Sequence, residues 1–550
     1  MENTNNKLTE IQQIQALQEK IVALENKNTN LENQNANLEN KNTNLENKNA
    51  ELTTKLNWFE EHFRLNQHRL YGSSSEKTAR SEQMTLFNEA EALSDVKPQP
   101  PEPTIEDISY TRKKKQKGHK EEMLKELPCE TIEYKLSEDE RVCNTCGEAL
   151  HEMSKEITKE LKIIPPQVSV VEHVRYVYSC RNCEKTGIKT NVVTASMPKR
   201  ALPGSIASAD TIAYTMVQKY MYGIPLNRQE QSWKQLDVDI SRQTMANWLI
   251  SASNRWLTIV YDRMRQKLLE YDIICADETT VQVLNEPGRA AETTSYMWLY
   301  RTGRDGPPMA LLEYQTTRAR KHAKRFLGDF KGYLCTDAYQ SYDGLDGVIN
   351  IFCNAHARRK FDEALKSLPK EAADKNCVAK EGLKFFEELY KIEKVLHNVS
   401  PEERYEKRLE KSKPILDKFY EWLKYQRPRV TPKSTIGQAI NYCINHMDNL
   451  AGYLKDGRLY IDNNNSERSM KSFAVLRKNF LFCNTQNGAT ASAVIFSIIE
   501  TAKENNLKPF EYLKYLLEAL PNIDTNSLDE IDRLLPWSEH IPEGCKLNKK

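Results

Sequence analysis

At 550 residues the chain has room for about three to four domains, yet only 39% of it is apolar, so much of it must be polar helix or linker outside any packed core. A formal net charge of +2 excludes a protein that holds nucleic acid through a global basic field, and leaves local patches as the electrostatic route. No leading apolar segment and no run of 18 apolar residues occurs, so neither a secretory signal nor a membrane span is expected.

The twelve cysteines are scattered singly except for two CxxC pairs, the usage of a reducing cytoplasm. From the N-terminus, Leu17, Leu24, Leu31, Leu38, Leu45 and Leu52 fall seven apart, and Phe59 continues the series. With these as d, the a positions are Ile14, Ile21, Asn28, Asn35, Asn42, Asn49 and Leu56. Leucine at d with asparagine at a predicts self-association through a parallel two-stranded coiled coil, because paired asparagines satisfy each other across the seam. The competing reading is a low-complexity tract that is only weakly helical, since asparagine is a poor helix former. Residues 1–72 thus form a coiled coil running into an amphipathic helix. That helix has Leu56, Phe59, Phe63 and Leu70 on one stripe and Arg64, His68 and Arg69 off it.

Residues 73–120 read as a linker. VKPQPPEPT is proline-rich and extended, and RKKKQKGHK (112–120) carries six Lys/Arg and no acid, a block suited to phosphates without sequence readout. Residues 121–200 hold Cys143-x-x-Cys146 and, after 33 residues, Cys180-x-x-Cys183. Two thiolate pairs predict one tetrahedral, structural Zn²⁺ with no open position for catalysis. The strand-like text between them (Val168, Val170, Val171, Val174, Tyr176, Tyr178) predicts a β-ribbon that brings the pairs together.

Residues 201–268 read as helices. Within them LNRQEQSWKQLDVDISRQTMANWL predicts helix, turn, helix, with Leu226, Trp233 and Ile240 lining the unit. Ser241 would cap a second helix that turns Met245, Trp248 and Leu249 inward and presents Arg242, Gln243 and Asn247 to base edges. A plain helical hairpin is the bland alternative.

From Tyr271 the text changes to short strands. Ile273, Ile274 and Cys275 lead into Asp277, GYLCT leads into Asp337, and DNNNSERSMKSFAVLRKNFLF opens a helix with Glu467 near its start. Residues 269–488 therefore predict a mixed α/β core with a helical insertion at about 365–456, and residues 489–550 are C-terminal helices and tail. A carboxylate placed after a buried strand is costly unless it holds something such as a metal. Three such acids suit two divalent ions that activate a water or a 3′-hydroxyl and stabilise the leaving oxygen of a phosphodiester. Pattern alone leaves Glu278, Asp343 and Asp462 as rivals. Arg358 and Arg359 near one acid, with Arg468 and Lys478 near another, are the basic residues a polyanion approaching the site requires. Cys353-x-x-His356 resembles half a zinc site, but no partner pair accompanies it.

The segments CADETTVQVL, TDAYQSYD, CNAHARRKF, DNNNSERSMKSFAVLRKNFLF, PGSIASADTIAYTMVQKYMYGIPLNRQEQ, YGSSSEK, the paired CxxC region and the terminal LLPW resemble, in order, the motifs of the transposases of the insertion sequence 66 family. The resemblance implies a DDE-type transposase with a ribonuclease H-like catalytic core. Asp277 then matches the acid of the ADET motif, Asp337 that of D-x-Y and Glu467 that of N-N-x-x-E-R. It further implies two Mg²⁺ (or Mn²⁺) ions, double-stranded DNA (element ends and target) as partner, small accessory proteins of the same element, and a bacterial cytoplasmic, nucleoid-associated location. Two other functions compete: a non-catalytic DNA-binding regulator and a hydrolytic nuclease of the same fold.

Overall fold

The computed structural model describes residues 2–71, 167–179, 192–369, 372–373 and 376–547. Cys143, Cys146, Cys180, Cys183 and the basic block at 112–120 lie outside the described residues. Two compact units result, one holding the described residues up to Met197 that follow the N-terminal helix together with Ser232–Asp239, the other holding the N-terminal helix and the remaining described residues.

The N-terminal helix α1 is continuous from Glu2 to Tyr71. Its d-position Leu24, Leu31, Leu38, Leu45 and Leu52 are each about half exposed along one stripe. Its last turns rest on the body of the protein, where Arg64 Nε donates to the Ser367 carbonyl at 3.1 Å and Glu61 accepts from the Thr435 amide at 3.2 Å. Arg64 is thus a packing contact.

In the smaller unit, β1 (Val177–Ser179) pairs antiparallel with β2 (Val192–Thr194). The ribbon is shorter than the sequence suggests. Val168, Val170, Val171 and Val174 lie exposed outside it, because the partner strand supplies three residues only.

Next come α2 (Ala209–Tyr220), α3 (Leu226–Lys234) and α4 (Arg242–Ala252). Ser241 caps α4 by accepting the Thr244 amide at 3.1 Å. Met245, Trp248 and Leu249 are buried, which leaves Arg242, Gln243 and Asn247 on the exposed face. A π-helical turn at Ser253–Leu257 carries the helix on into α5 (Thr258–Leu268).

The core is a mixed sheet. Strands β3 (Ile273–Asn285), β4 (Thr294–Thr302) and β5 (Ala310–Gln315) form antiparallel hairpins. Helix α6 (Arg320–Leu327) crosses to β6 (Gly332–Thr336), and β7 (Val348–Phe352) follows. Both β6 and β7 are parallel to β3, giving the order β5-β4-β3-β6-β7. Glycine is required at 332, where φ is +149° and a Cβ would meet the Asp272 carbonyl oxygen at 2.2 Å. Trp298, Tyr300 and Phe326 fill one face, with Tyr300 and Phe326 stacked at 3.8 Å between ring centres.

Helix α7 (Asn354–Ser367) leads into the insertion: α8 (Val378–Val395), α9 (Pro401–Lys407), α10 (Lys413–Gln426) and α11 (Thr435–Asn445). Its apolar faces pack Phe361, Phe386, Phe419, Leu423 and Ile440 into one cluster that reaches Ile351 and Phe352 of β7. Arg408 is fully buried there. It forks onto Glu393 at 2.7 and 2.6 Å and also donates to the carbonyls of Tyr453, Asp456 and Leu459. All five guanidinium donors are thereby used, which is what makes a buried charge tolerable.

The chain returns through α12 (Asn464–Phe480), β8 (Cys483–Thr485), α13 (Gln486–Glu504) and α14 (Pro509–Ala519). On the edge strand β5 the Leu312 and Ala310 amides donate to Ser497 Oγ and Thr501 Oγ1 of α13, at 2.7 and 3.1 Å. The edge is capped by side chains and covered by a helix, so it offers no template for another strand. Among the described residues no helix is long and apolar enough to cross a membrane.

Candidate active site

Asp277 is not at the end of its strand. It is the fifth residue of β3, which pairs with β4 as far as Gln282 and runs on to Asn285. The parallel ladder with β6, however, stops at Cys275 opposite Cys335. One side of β3 therefore opens just before Asp277, and β6 ends just before Asp337. Both carboxylates emerge where two parallel strands part.

Glu467 reaches the same place from the first turn of α12. The start of that helix is pinned to β3: Asn463 Nδ2 donates to the Ala276 carbonyl at 2.9 Å, its backbone amide to Cys353 Sγ at 3.1 Å, and Ser466 Oγ donates to Asn463 Oδ1 at 2.7 Å. Asn463 thus fixes the spacing between Asp277 and Glu467. The Cys353 sulfur is an acceptor in this lock, not half of a zinc pair.

The three acids feel one another. Burial first, then the charges of Glu278, Asp337 and Glu467, push the Asp277 carboxyl well above the usual carboxylate range. This is a site with surplus negative charge and little solvent to screen it.

The rival carboxylates are committed elsewhere. Glu278, with a side chain 1% exposed, takes a salt bridge from Arg318 and a hydrogen bond from the Tyr342 hydroxyl. Burial and then the charge of Asp337 raise it to about 7, against the pull of Arg318. Arg318 also lies 3.6 Å from Asp337 and stacks over Tyr339 at 3.3 Å. It ties the β3 acids to the loop after β6. Asp462 accepts from Asn464 at 3.0 Å, and Asp343 from Asn350 at 3.4 Å.

The basic residues divide. Arg468 and Lys478 are exposed on α12, and Arg358 is half-buried. Arg359, expected from sequence to contact DNA, is buried and places one nitrogen 2.8 and 2.6 Å from the two oxygens of Glu467. It is an internal partner because α7 turns it toward the acid, whereas the adjacent Arg358 stays half-buried. His356 lies 3.8 Å from Glu467, and burial, then the charge of Arg359, lower its pKa to about 4.

A hard divalent cation fits this donor set: three carboxylates, one of them strongly disfavoured as an anion without a counter-charge. Among the described residues, no three His, Cys, Asp or Glu side chains already converge at ligand spacing.

Sequence pattern left Glu278, Asp343 and Asp462 as rivals, and only the family resemblance selected Asp277, Asp337 and Glu467; the charges of Asp337 and Glu467 both act on Asp277. The pattern missed Asn463, Arg318 and Tyr342. Their partners are distant in sequence; Asn463 and Tyr342 at least fall inside the NNNSER and DAYQSYD segments, whereas Arg318 lies in neither.

Comparison with known proteins decides the family. Residues 204–491 match the model described as Transposase IS66 family, more than half of the chain and all three acids. The chain belongs to the IS66 transposase family. Three further matches of this transposase follow the same architecture. Residues 140–184 match the zinc-finger binding domain of transposase IS66 and contain all four paired cysteines. Residues 497–537 match the IS66 C-terminal element, and residues 58–132 the model described as Transposase C of IS166 homeodomain. Among relatives, the uncharacterized protein y4hP of Sinorhizobium fredii is 30% identical over 72% of this chain and 73% of its own length. The uncharacterized protein y4jD of the same organism is 30% identical over 73% of this chain and 79% of its own length.

Proposed function

We propose that this IS66-family transposase cleaves the ends of its element and joins them to target DNA, with Asp277, Asp337 and Glu467 holding two Mg²⁺ (or Mn²⁺) ions. The observation that carries this reading is the placing of buried Asp277 at the parting of β3 and β6, with Glu278, Asp337 and Glu467 close enough for their charges to act on it. The strand order, three antiparallel strands followed by two parallel ones, supports a ribonuclease H-like core.

Bound there, the ions supply activation of a water or 3′-hydroxyl and stabilisation of the leaving oxygen. The protein supplies position. Asn463 holds α12 against β3, and Arg318 holds Glu278 and the Asp337 loop. Arg359 neutralises Glu467, and would be the group a bound ion displaces from that carboxylate. His356, neutral at physiological pH, adds no competing positive charge. Arg358, Arg468 and Lys478 pair with the approaching phosphates, and Arg242, Gln243 and Asn247 on α4 read base edges. Cys143, Cys146, Cys180 and Cys183 hold one structural Zn²⁺. The α1 stripe pairs two copies of the chain, small proteins of the same element assist it, and it works in the bacterial cytoplasm on nucleoid DNA.

The test incubates the full chain and Asp277→Asn with labelled element-end DNA, Mg²⁺ and the element's accessory proteins. Joined products from the wild type, with binding but no chemistry from the variant, support transposition. Cleavage without joining favours a nuclease, and binding without any metal-dependent chemistry in the wild type favours a regulator.

A further inference from the structure

A cavity at the end of α12 takes no part in the site above. Its volume is about 430 Å³, and its walls include Thr280 and Gln282 of β3, Arg477 and Lys478 of α12, Glu292, and Phe482. Arg477 closes the end nearer the acids, donating to Thr279 Oγ1 and Thr280 Oγ1 at 2.9 Å each.

Helix α12 ends abruptly at this cavity. Leu481 has φ of +58°, and the Phe482 amide donates back to the Phe480 carbonyl at 2.6 Å. This is a γ-turn with a positive central φ, a conformation leucine rarely adopts and one that persists only where its surroundings enforce it. Here they do: α12 precedes the turn, and β8 follows it, locked to β3 through Val283 opposite Cys483. The turn holds Leu481 68% exposed and Phe482 43% exposed. Two large apolar side chains are thus presented rigidly to solvent, beside the cations of α12.

We propose, building on the DNA-processing reading above, that this cavity receives an unstacked base of the DNA strand that runs to Asp277. Phe482 is the stacking face, Leu481 the wedge that replaces the base in the duplex, and Lys478 the contact to an adjoining phosphate. Charge decides for nucleic acid. Arg477 and Lys478 line the cavity against the single carboxylate of Glu292, so its wall is net basic. Aromatic stacking holds any base, and apolar wedges open base steps. Reach agrees as well. Thr280 is three residues beyond Asp277, about 10 Å along a strand at ~3.3 Å per residue, which is about three nucleotide steps at ~3.4 Å of axial rise. Removing a base from the stack near the scissile phosphate would let the strand enter a site walled by β3 and α12.

The test uses the full chain carrying Asp277→Asn, so that DNA is bound and not cut. Element-end duplexes carry 2-aminopurine at one position at a time, on either side of the cleavage point. The expected result is a several-fold fluorescence change at one position within about four nucleotides of the cut, at ~3.4 Å per step, and none at its neighbours. Phe482→Ala and Leu481→Gly should each abolish that change while weakening binding less than about 3-fold; glycine accepts the positive φ, so the second variant keeps the turn. In the cleavage-competent chain both variants should slow cutting at intact ends and recover on ends with an abasic site at the responding position. Bound DNA with no local signal, or a signal unchanged in both variants, overturns the proposal. A local signal in a wild type that never cuts overturns the catalytic reading and leaves this one standing.

Discussion

Arg359 and Glu467 come from helices 108 residues apart in sequence and meet through two contacts of 2.8 and 2.6 Å in the interior. A buried carboxylate without a partner is strongly disfavoured, and here the guanidinium is that partner; under the function proposed above a metal ion would take its place.

That exchange has a measurable consequence. Arg359→Ala should lower stability by about 3–5 kcal/mol, the cost of stranding a buried charge. Added Mg²⁺ should return part of the lost melting temperature, because it replaces the missing counter-charge. Thermal melts with and without Mg²⁺ check this, and a variant indifferent to Mg²⁺ would count against the exchange.

Asp277 offers the opposite sign. Its carboxyl is held well above the ordinary range by burial and by Glu278, Asp337 and Glu467. A folded-state pKa above the unfolded value means that the ionised acid destabilises the fold once pH exceeds the unfolded value. Asp277→Asn removes that charge, so at pH 7.5 without divalent ions the variant should melt above the wild type. Mg²⁺ should raise the wild type and leave the variant nearly unmoved. A lower melting temperature for the variant would mean the carboxylate is satisfied in some other way.

The two strands at this site were readable because the apolar runs IICA and GYLCT lead into Asp277 and Asp337, whereas Glu467 follows the polar DNNNS and was selected by the resemblance. The limits of β3 were not readable, since TTVQVLN is polar on one face and looks like loop until β4 pairs with it. The sequence also could not tell Arg358 from Arg359. Both are basic and adjacent, and only the arrival of Glu467 selects the inner one. Arg318 was invisible for the same reason, with Glu278 40 residues away.

Asn463 should matter for rate and not for affinity. Asn463→Ala breaks the tie between α12 and the Ala276 carbonyl and leaves the exposed cations of α12 in place. Cleavage should fall about 100-fold, as misplacement by an ångström can do, with DNA binding within about 2-fold of wild type. Equal losses in binding and cleavage would recast Asn463 as a general stability residue.

In the insertion, Arg408→Met should cost about 3–5 kcal/mol by leaving Glu393 unpaired. Adding Glu393→Met should restore only part of this, because the carbonyls of Tyr453, Asp456 and Leu459 also lose their donor. Urea titrations of the single and double variants give the comparison, and full recovery in the double variant would show those carbonyls to be dispensable.

The central claim is that Asp277, Asp337 and Glu467 are metal ligands of the DNA-cutting site. It is tested most directly by replacing each with cysteine and assaying cleavage of element ends in Mg²⁺ and in Mn²⁺, because a thiolate is a poor ligand for Mg²⁺ and a better one for the softer ion. The expected result is loss in Mg²⁺ and at least about 10-fold recovery in Mn²⁺ at one or more of the three positions, and no metal-dependent recovery for Asp343→Cys or Asp462→Cys. Cleavage that survives in Mg²⁺ at all three positions, or recovery confined to Asp343 or Asp462, would contradict it.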